Sequence, residues 1–263
     1  MFTTPYFEEY NGGLNLLIQN KKKVENMSAQ QQPSQQQISP ATRLLKIAKS
    51  SGATDGFPIF TAFAHQLFAH TPETELEARS DQELLDLCKE VFGVLETPLK
   101  DGDIKLEMLN PSYTHHSVAV INMYDQPFLV DSLWLELNRR GIEIHHTYHP
   151  IFNVKRDGKN KLAKITEEPT PETHRESFIV LEFDRQDAED LKDIECSLKH
   201  TLKMAQQVVE DFTPLTGKMH EVIDMLEHAK PHAPHEDMLE NVTFLKWLLD
   251  DHFVFLGYRK YDL

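Results

Sequence analysis

The apolar positions of this chain change period at defined places, and the sharpest change lies between Val118 and His149. Val118 to Tyr124 is nearly continuously apolar, the pattern of a strand covered on both faces. Asp125-Gln126-Pro127-Phe128 follows, and then Leu129, Val130, Leu133, Trp134, Leu135 and Leu137 give the apolar side of about three helical turns. Asp125 stands where a carboxylate can accept from the first amides of that helix, and Pro127 suits an early helical position because its missing N–H needs no partner there. Arg139-Arg140-Gly141 stops the helix, and Ile142 to Val154 is again strand-like. Strand, turn, helix and strand in this order form half of a ferredoxin-like domain.

Upstream, the spacing predicts helices over Thr42 to Ser50, Phe57 to His70 and Asp81 to Leu95, the last opened by a Ser80/Glu83 capping box. Ile104, Leu106 and Met108 alternate with charged residues, as in a strand with one wet face. Downstream, Asp157-Gly158 marks a turn between Val154 and a strand over Lys161 to Ile165, and Ser177 to Phe183 reads as a further strand. Leu191, Ile194, Leu198, Leu202, Ala205, Val209 and Phe212 step by three or four along a helix from Asp187 to Phe212. Helices over Lys218 to His228 and Glu236 to Leu249 flank a Pro-rich link, and Phe253 to Tyr258 reads as a buried strand. An apolar strand in that place needs a sheet to receive it, so the chain reads as a fragment of a longer polypeptide. The tract Gln30 to Gln37 has nothing to bury and reads as a disordered connector.

At 263 residues with 40% hydrophobic content, the chain is long enough for one or two domains with a real core. A formal charge of -15, from 42 acidic against 27 basic side chains, repels a phosphate backbone and argues against nucleic acid as a partner. Apolar runs fall far short of the roughly 20 residues that cross a bilayer. The first residues order charge and apolarity wrongly for a secretory signal, which points to the cytoplasm. Cys88 and Cys196 fall on or beside apolar helix faces, where reduced thiols serve as core filling.

Candidate chemistry is sparse. None of the ten glycines stands two residues from another, so the dinucleotide fingerprint is absent, and Gly217-Lys218 is followed by Met219 rather than Ser or Thr. His145, His146 and His149, with His115 and His116, invite a metal reading. On a regular strand, however, His145 and His149 lie roughly 13 Å apart and His146 points away. Ser132 sits in a helix start rather than on a strained elbow, and the apolar surroundings of Cys88 raise a thiol's pKa. The one place for a ligand is the turn formed by Asp125, Gln126, Pro127, Phe128, Leu129, Val130 and Asp131, whose helix amides could hold an amino-acid carboxylate unless Asp125 occupies them itself.

Several motifs in register carry a resemblance: Asp125 to Ser132, Gly141-Ile142, His149 to Asp157, Glu176-Ser177-Phe178 and Phe244 to Arg259. Together they resemble the N-terminal region of the large bacterial NAD-specific glutamate dehydrogenases, and the Asp-x-Pro turn resembles the opening of an ACT domain. The resemblance implies an α+β fold, a ferredoxin-like, ACT-type antiparallel sheet with packed helices, preceded by a small helical segment and followed by a helical connection ending in a strand. It divides the chain into a disordered tail and linker (1–41), a helical cap (42–100), the ACT-like domain (101–213) and a helical connection with the first strand of a following domain (214–263). The parent enzyme it implies converts L-glutamate with NAD to 2-oxoglutarate and ammonia. NAD then belongs to the parent and no cofactor to this chain, with no catalytic or metal-ligating residue assigned here. The implied partners are the rest of the dehydrogenase polypeptide, a second copy in a homo-oligomer, and an amino-acid effector. The rival readings are an autonomous amino-acid sensor and a small hydrolase or metal enzyme using His145 to His149. Ligand-binding ACT domains carry Gly after the turn proline, and the ring of Phe128 would fill the space that Gly leaves. No strand follows the long helix directly, so the fourth strand comes from elsewhere, either Ile104 to Met108 or Phe253 to Tyr258.

Overall fold

The computed structural model describes residues 57–228, 235–259 and 261. The expected connector and the Thr42 to Ser50 helix lie outside them. Among the described residues, three helices come first: α1 (Phe57–Leu67), the single turn and a half of α2 (Glu73–Glu77), and α3 (Asp81–Glu96). The Ser80 hydroxyl accepts from the Glu83 amide at 3.1 Å and starts α3, as the capping box requires.

Six strands then build one antiparallel sheet: β1 (Lys105–Leu109), β2 (Ser117–Tyr124), β3 (Ile144–Tyr148), β4 (Ile151–Arg156), β5 (Leu162–Thr166) and β6 (His174–Phe183). Between β2 and β3 runs α4 (Leu129–Arg139). Gly141, at φ 71°, ends α4, and the amides of Gly141 and Ile142 turn back to the carbonyls of Asn138 and Leu137. The strand expected over Ile142 to Val154 is interrupted at His149-Pro150, because proline has no amide for the ladder. Its two halves share one edge of β6: Tyr148 pairs with Val180, Ile151 pairs with Ser177, and the Phe178 amide bridges the gap to the Pro150 carbonyl. β2 lies along the other edge, between Ser117↔Phe183 and Tyr124↔Glu176.

This is the split β-α-β arrangement, with β6 inserted between β2 and the β3/β4 edge it is connected to through α4. The fourth position, beside β2, is filled from upstream: β1 pairs with β2 from Lys105↔Asn122 to Leu109↔Val118. Of the two alternatives left by the sequence, Ile104 to Met108 therefore supplies this strand. Phe253 to Tyr258 forms no strand, since it finds no sheet edge, and Leu256 instead lies beside the long helix that follows β6.

That helix, α5 (Ala188–His228), is continuous, whereas the sequence predicted a break between Phe212 and Lys218. Pro214 removes one backbone bond without ending it, because the turns on either side keep theirs. After it, α6 (His235–Trp247) runs into a π-helical turn over Leu248–His252.

Both faces of the sheet are covered, which explains why β2 reads as a nearly continuous apolar run from Val118 to Tyr124. On one face, α1 to α3 bury Phe63, Leu84, Leu87, Val91 and Leu95 against Val118, Val120, Phe152, Phe178 and Val180. Phe63 ties these layers together, with its ring centroid 5.1 Å from Phe92, 5.4 Å from Phe152 and 5.3 Å from Phe178. On the opposite face, α4 and the first half of α5 bury Leu129, Leu133, Leu137, Leu191, Ile194, Leu198 and Leu202 against Ala119, Ile121, Met123, Ile179 and Leu181. Two residues assigned to the apolar side of α4 lie off it, since Trp134 is 43% and Leu135 71% exposed, and the face they vacate takes in Glu136. Cys88 is buried as expected; Cys196 is exposed, because the buried stripe of α5 runs through Ile194 and Leu198.

Candidate functional site

The turn between β2 and α4 differs in detail from the sequence reading. Asp125 does not cap α4. It stands too far from the helix, whose N-cap is Phe128, and no side chain caps that end. Its Oδ1 accepts from the Ser177 hydroxyl at 2.7 Å and its Oδ2 pairs with Arg175 at 2.9 Å, while its amide donates to the Arg175 carbonyl. The same Ser177 Oγ lies 3.2 Å from His149 Nε2. With the hydroxyl proton directed at Asp125, the imidazole is the donor to Ser177, so one chain of bonds stitches the turn, β6 and the β3/β4 joint together. Pro127 precedes the helix rather than entering it.

Phe128 takes the left-handed conformation, at φ 71° and ψ 6°, where a side chain costs roughly 1–2 kcal/mol relative to glycine. Its half-exposed ring lines a groove of about 470 Å³ between α4 and α5, with Ser132, Leu135, Met204, Val208 and Leu256. Gln126 Nε2 is buried without a hydrogen-bond partner, and Leu129 is buried under the helix. Val130 packs against the core, and Asp131 lies exposed in the first helical turn, where its charge favours the helix dipole. Inside the groove wall, Glu136 accepts from Arg139 through both oxygens at 2.9 Å, from Arg140 at 2.7 Å and from the Ser197 hydroxyl. Arg139 first, then Arg140 and Ser197, hold its carboxyl down at about 2 against the opposing effect of desolvation.

A second group was hidden from the sequence. The pairing of β3 with β6 slips at His145, so that Ile144 opposes Phe183 and His146 already opposes Glu182. This bulge breaks the alternation that would send His145 and His146 to opposite faces. Both rings gather at His116, which stacks on His145 with centroids 4.2 Å apart and lies 6.1 Å from His146. A carboxylate faces each ring: Asp184 Oδ1 lies 2.9 Å from His145, Glu182 Oε2 3.6 Å from His116, and Glu75 Oε2 3.7 Å from His146. Two unit charges about 4 Å apart repel by roughly 4 kcal/mol at an effective dielectric near 20, so a charge on His116 is disfavoured by one on the ring stacked against it. Burial, then His145, pushes His116 below the usual imidazole range. Nothing in residue periodicity announces a bulge, and only the density of histidines in the sequence pointed here. Among the described residues, no group of three or more His, Cys, Asp or Glu side chains is arranged to hold a metal ion.

Glu182 is fully buried and also receives Arg79, whose Nη1 donates both to it and to the Tyr148 hydroxyl at 2.8 Å. Since Arg79 lies between α2 and α3, the pair fastens the helical cap to β6. At the other end of β6, buried Glu176 is held by Arg156, which reaches the carbonyls of Leu95 and Thr97 at the end of α3.

Among the described residues, the one strand-to-helix crossover ahead of β6 tests the fit of a dinucleotide. Its turn places the Phe128 ring, not a glycine backbone, where a pyrophosphate would approach, and the residues present do not fit NAD. No helix among the described residues is long and apolar enough to cross a membrane.

An antiparallel split β-α-β sheet, with an Asp-x-Pro turn opening the helix that crosses it, defines an ACT-type ferredoxin-like domain. More particularly, the chain belongs to the glutamate dehydrogenase ACT1 domain family, which matches residues 63–198, from Phe63 in α1 to Leu198 in α5. It is 34% identical over 212 residues to the NAD-specific glutamate dehydrogenase of Halomonas elongata, a match covering 76% of this chain and 13% of that protein. It is 34% identical over 216 residues to the enzyme of the same name from Pseudomonas aeruginosa, with 78% of this chain and 13% of that protein covered. The chain thus spans about an eighth of the length of these relatives.

Proposed function

We propose that this chain is a non-catalytic assembly or regulatory segment of an NAD-specific glutamate dehydrogenase, whose parent reaction oxidises L-glutamate with NAD to 2-oxoglutarate, ammonia and NADH. The observation that carries this reading is the ACT1 match lying across a sheet whose one crossover turn does not fit a dinucleotide. The chemistry then belongs to polypeptide beyond this segment, with NAD bound there. Its partners are the remainder of the dehydrogenase, a homo-oligomeric copy of the same segment, and neither nucleic acid nor membrane; its place is the cytoplasm. The run Phe253 to Tyr258, with Phe253 57% and Leu256 72% exposed, is suited to become the first strand of a following domain. The purified chain supplied with glutamate and NAD should produce no NADH, and glutamate-dependent NADH formation by it overturns the reading.

A second reading is amino-acid sensing at Asp125 to Asp131. It is favoured by the uncapped N-terminus of α4 and the unpartnered Gln126 amide. It is opposed by the Phe128 ring and by the engagement of Asp125 with Ser177 and Arg175. Calorimetry with glutamate and related amino acids separates the two: saturable binding that is lost in Gln126→Ala supports the sensor, and no heat removes it.

A further inference from the structure

We propose that the groove between α4 and α5 binds a monocarboxylate with an aliphatic tail, the tail lying along the apolar walls and the carboxylate meeting Arg139. The groove holds about 470 Å³, within the range of small-molecule sites, and its walls are apolar except for the Ser132 and Thr201 hydroxyls and one charged end. α4 and α5 follow the antiparallel strands β2 and β6 and are joined by the bond from Ser197 to Glu136. Arg139 and His200 therefore share one end of the groove, and Phe128 and Val208 stand at the other.

Two features select an anion with a long apolar body. Glu136 takes both Arg139 and Arg140, which leaves this network with one positive charge in excess. The same bonds fix Arg139: its Nε and Nη2 are spent on the two oxygens of Glu136 at 2.9 Å, and its Nη1 meets no acceptor among the described residues. A guanidinium clamped along one edge is offered to a second carboxylate without the entropy cost of ordering a free side chain. At the far end, Phe128 keeps its ring in the groove wall by holding a backbone conformation that glycine takes without cost. Strain retained beside a cavity indicates a use for the ring there. Leu135 and Met204, both exposed, extend the apolar surface between the two ends, and Leu256 lies across its outer side. An apolar protein segment would leave the free edge of Arg139 without a partner, whereas a monocarboxylate satisfies both ends. The site depends only on these residues and not on the chemistry of the parent enzyme.

Calorimetry of the 263-residue chain with decanoate, kept below the concentration at which it aggregates, reads the site directly. Saturable binding of one molecule per chain is expected, and octanoate should bind about fifteenfold more weakly, at about fourfold for each buried methylene it lacks. Decanol, with the same tail and no charge, should bind about tenfold more weakly than decanoate. Arg139→Gln should weaken decanoate about tenfold and leave decanol unchanged, with Glu136 still held by Arg140 and Ser197. Absence of saturable binding, equal affinity for decanoate and decanol, or unchanged decanoate affinity in Arg139→Gln overturns the proposal. So does a dimer in light scattering that takes up no decanoate and dissociates in Met204→Glu, which makes a second copy the occupant. Should Arg139→Gln fail to fold, Met204→Glu decides instead, since it sets a carboxylate at an exposed position of the groove wall: it should abolish decanoate binding, and undiminished binding refutes the site.

Discussion

Arg156 on β4 grips Glu176 on the adjacent β6 by two bonds, Nε to Oε1 at 2.6 Å and Nη2 to Oε2 at 2.7 Å, with both side chains sealed from solvent. The rest of the guanidinium reaches the carbonyls of Leu95, Thr97 and Asn160, so one residue satisfies the end of α3, the β4–β5 turn and a buried carboxylate together. Arg156→Met strands Glu176 in the interior with only Asn122 and His174 beside it. A loss of about 3–5 kcal/mol in urea unfolding is expected, with part of it restored when Glu176→Gln is added.

Glu136 should govern stability on the acid side. Its carboxyl is held down at about 2 against an ordinary 4.5, so the folded form keeps its charge where the unfolded chain has begun to take up protons. Stability from this source is full above the ordinary value and falls as pH drops from there toward about 2. In Glu136→Gln, urea midpoints measured from neutral pH downward should start lower and decline less steeply through this window.

Phe128 offers a comparison of two truncations. Phe128→Ala removes the ring and keeps the backbone strain, whereas Phe128→Gly removes both. The glycine variant should be the more stable of the two by about 1 kcal/mol in urea titration, the reverse of the usual order for these residues.

The two thiols should separate cleanly by reactivity. Cys88 is sealed in the cap core, where burial pushes its thiol well above the ordinary range, and Cys196 is exposed on α5. An aromatic disulfide reagent should modify one thiol per native chain, at Cys196, and the second only in denaturant.

Most of the strand and helix content was legible because each segment obeys one period. β2 is buried on both faces and reads as a nearly unbroken apolar run, α3 shows its capping box, and α4 stops at a glycine that needs positive φ. What escaped depends on tertiary partners. Leu135 looked like core because its neighbours were, yet the sheet reaches only the side of α4 that carries Leu129, Leu133 and Leu137. Asp125 looked like a cap because of its place before a helix, and Ser177 and Arg175, some fifty residues away, claim it instead. The histidine group depends on a one-residue slip in pairing, which no local pattern encodes. The strand that completes the sheet was one of two choices that periodicity could not rank.

Because β1 arrives from upstream to close the sheet beside β2, the domain is in effect circularly permuted relative to a ferredoxin-like chain whose last strand fills that slot. The second crossing helix has no strand to deliver and so no obligation to turn back. Its 41 residues extend about 60 Å at 1.5 Å per residue, and apart from Ile223 its buried residues end at Ala205. The remainder is a spar, and its length sets how far α6 stands from the sheet.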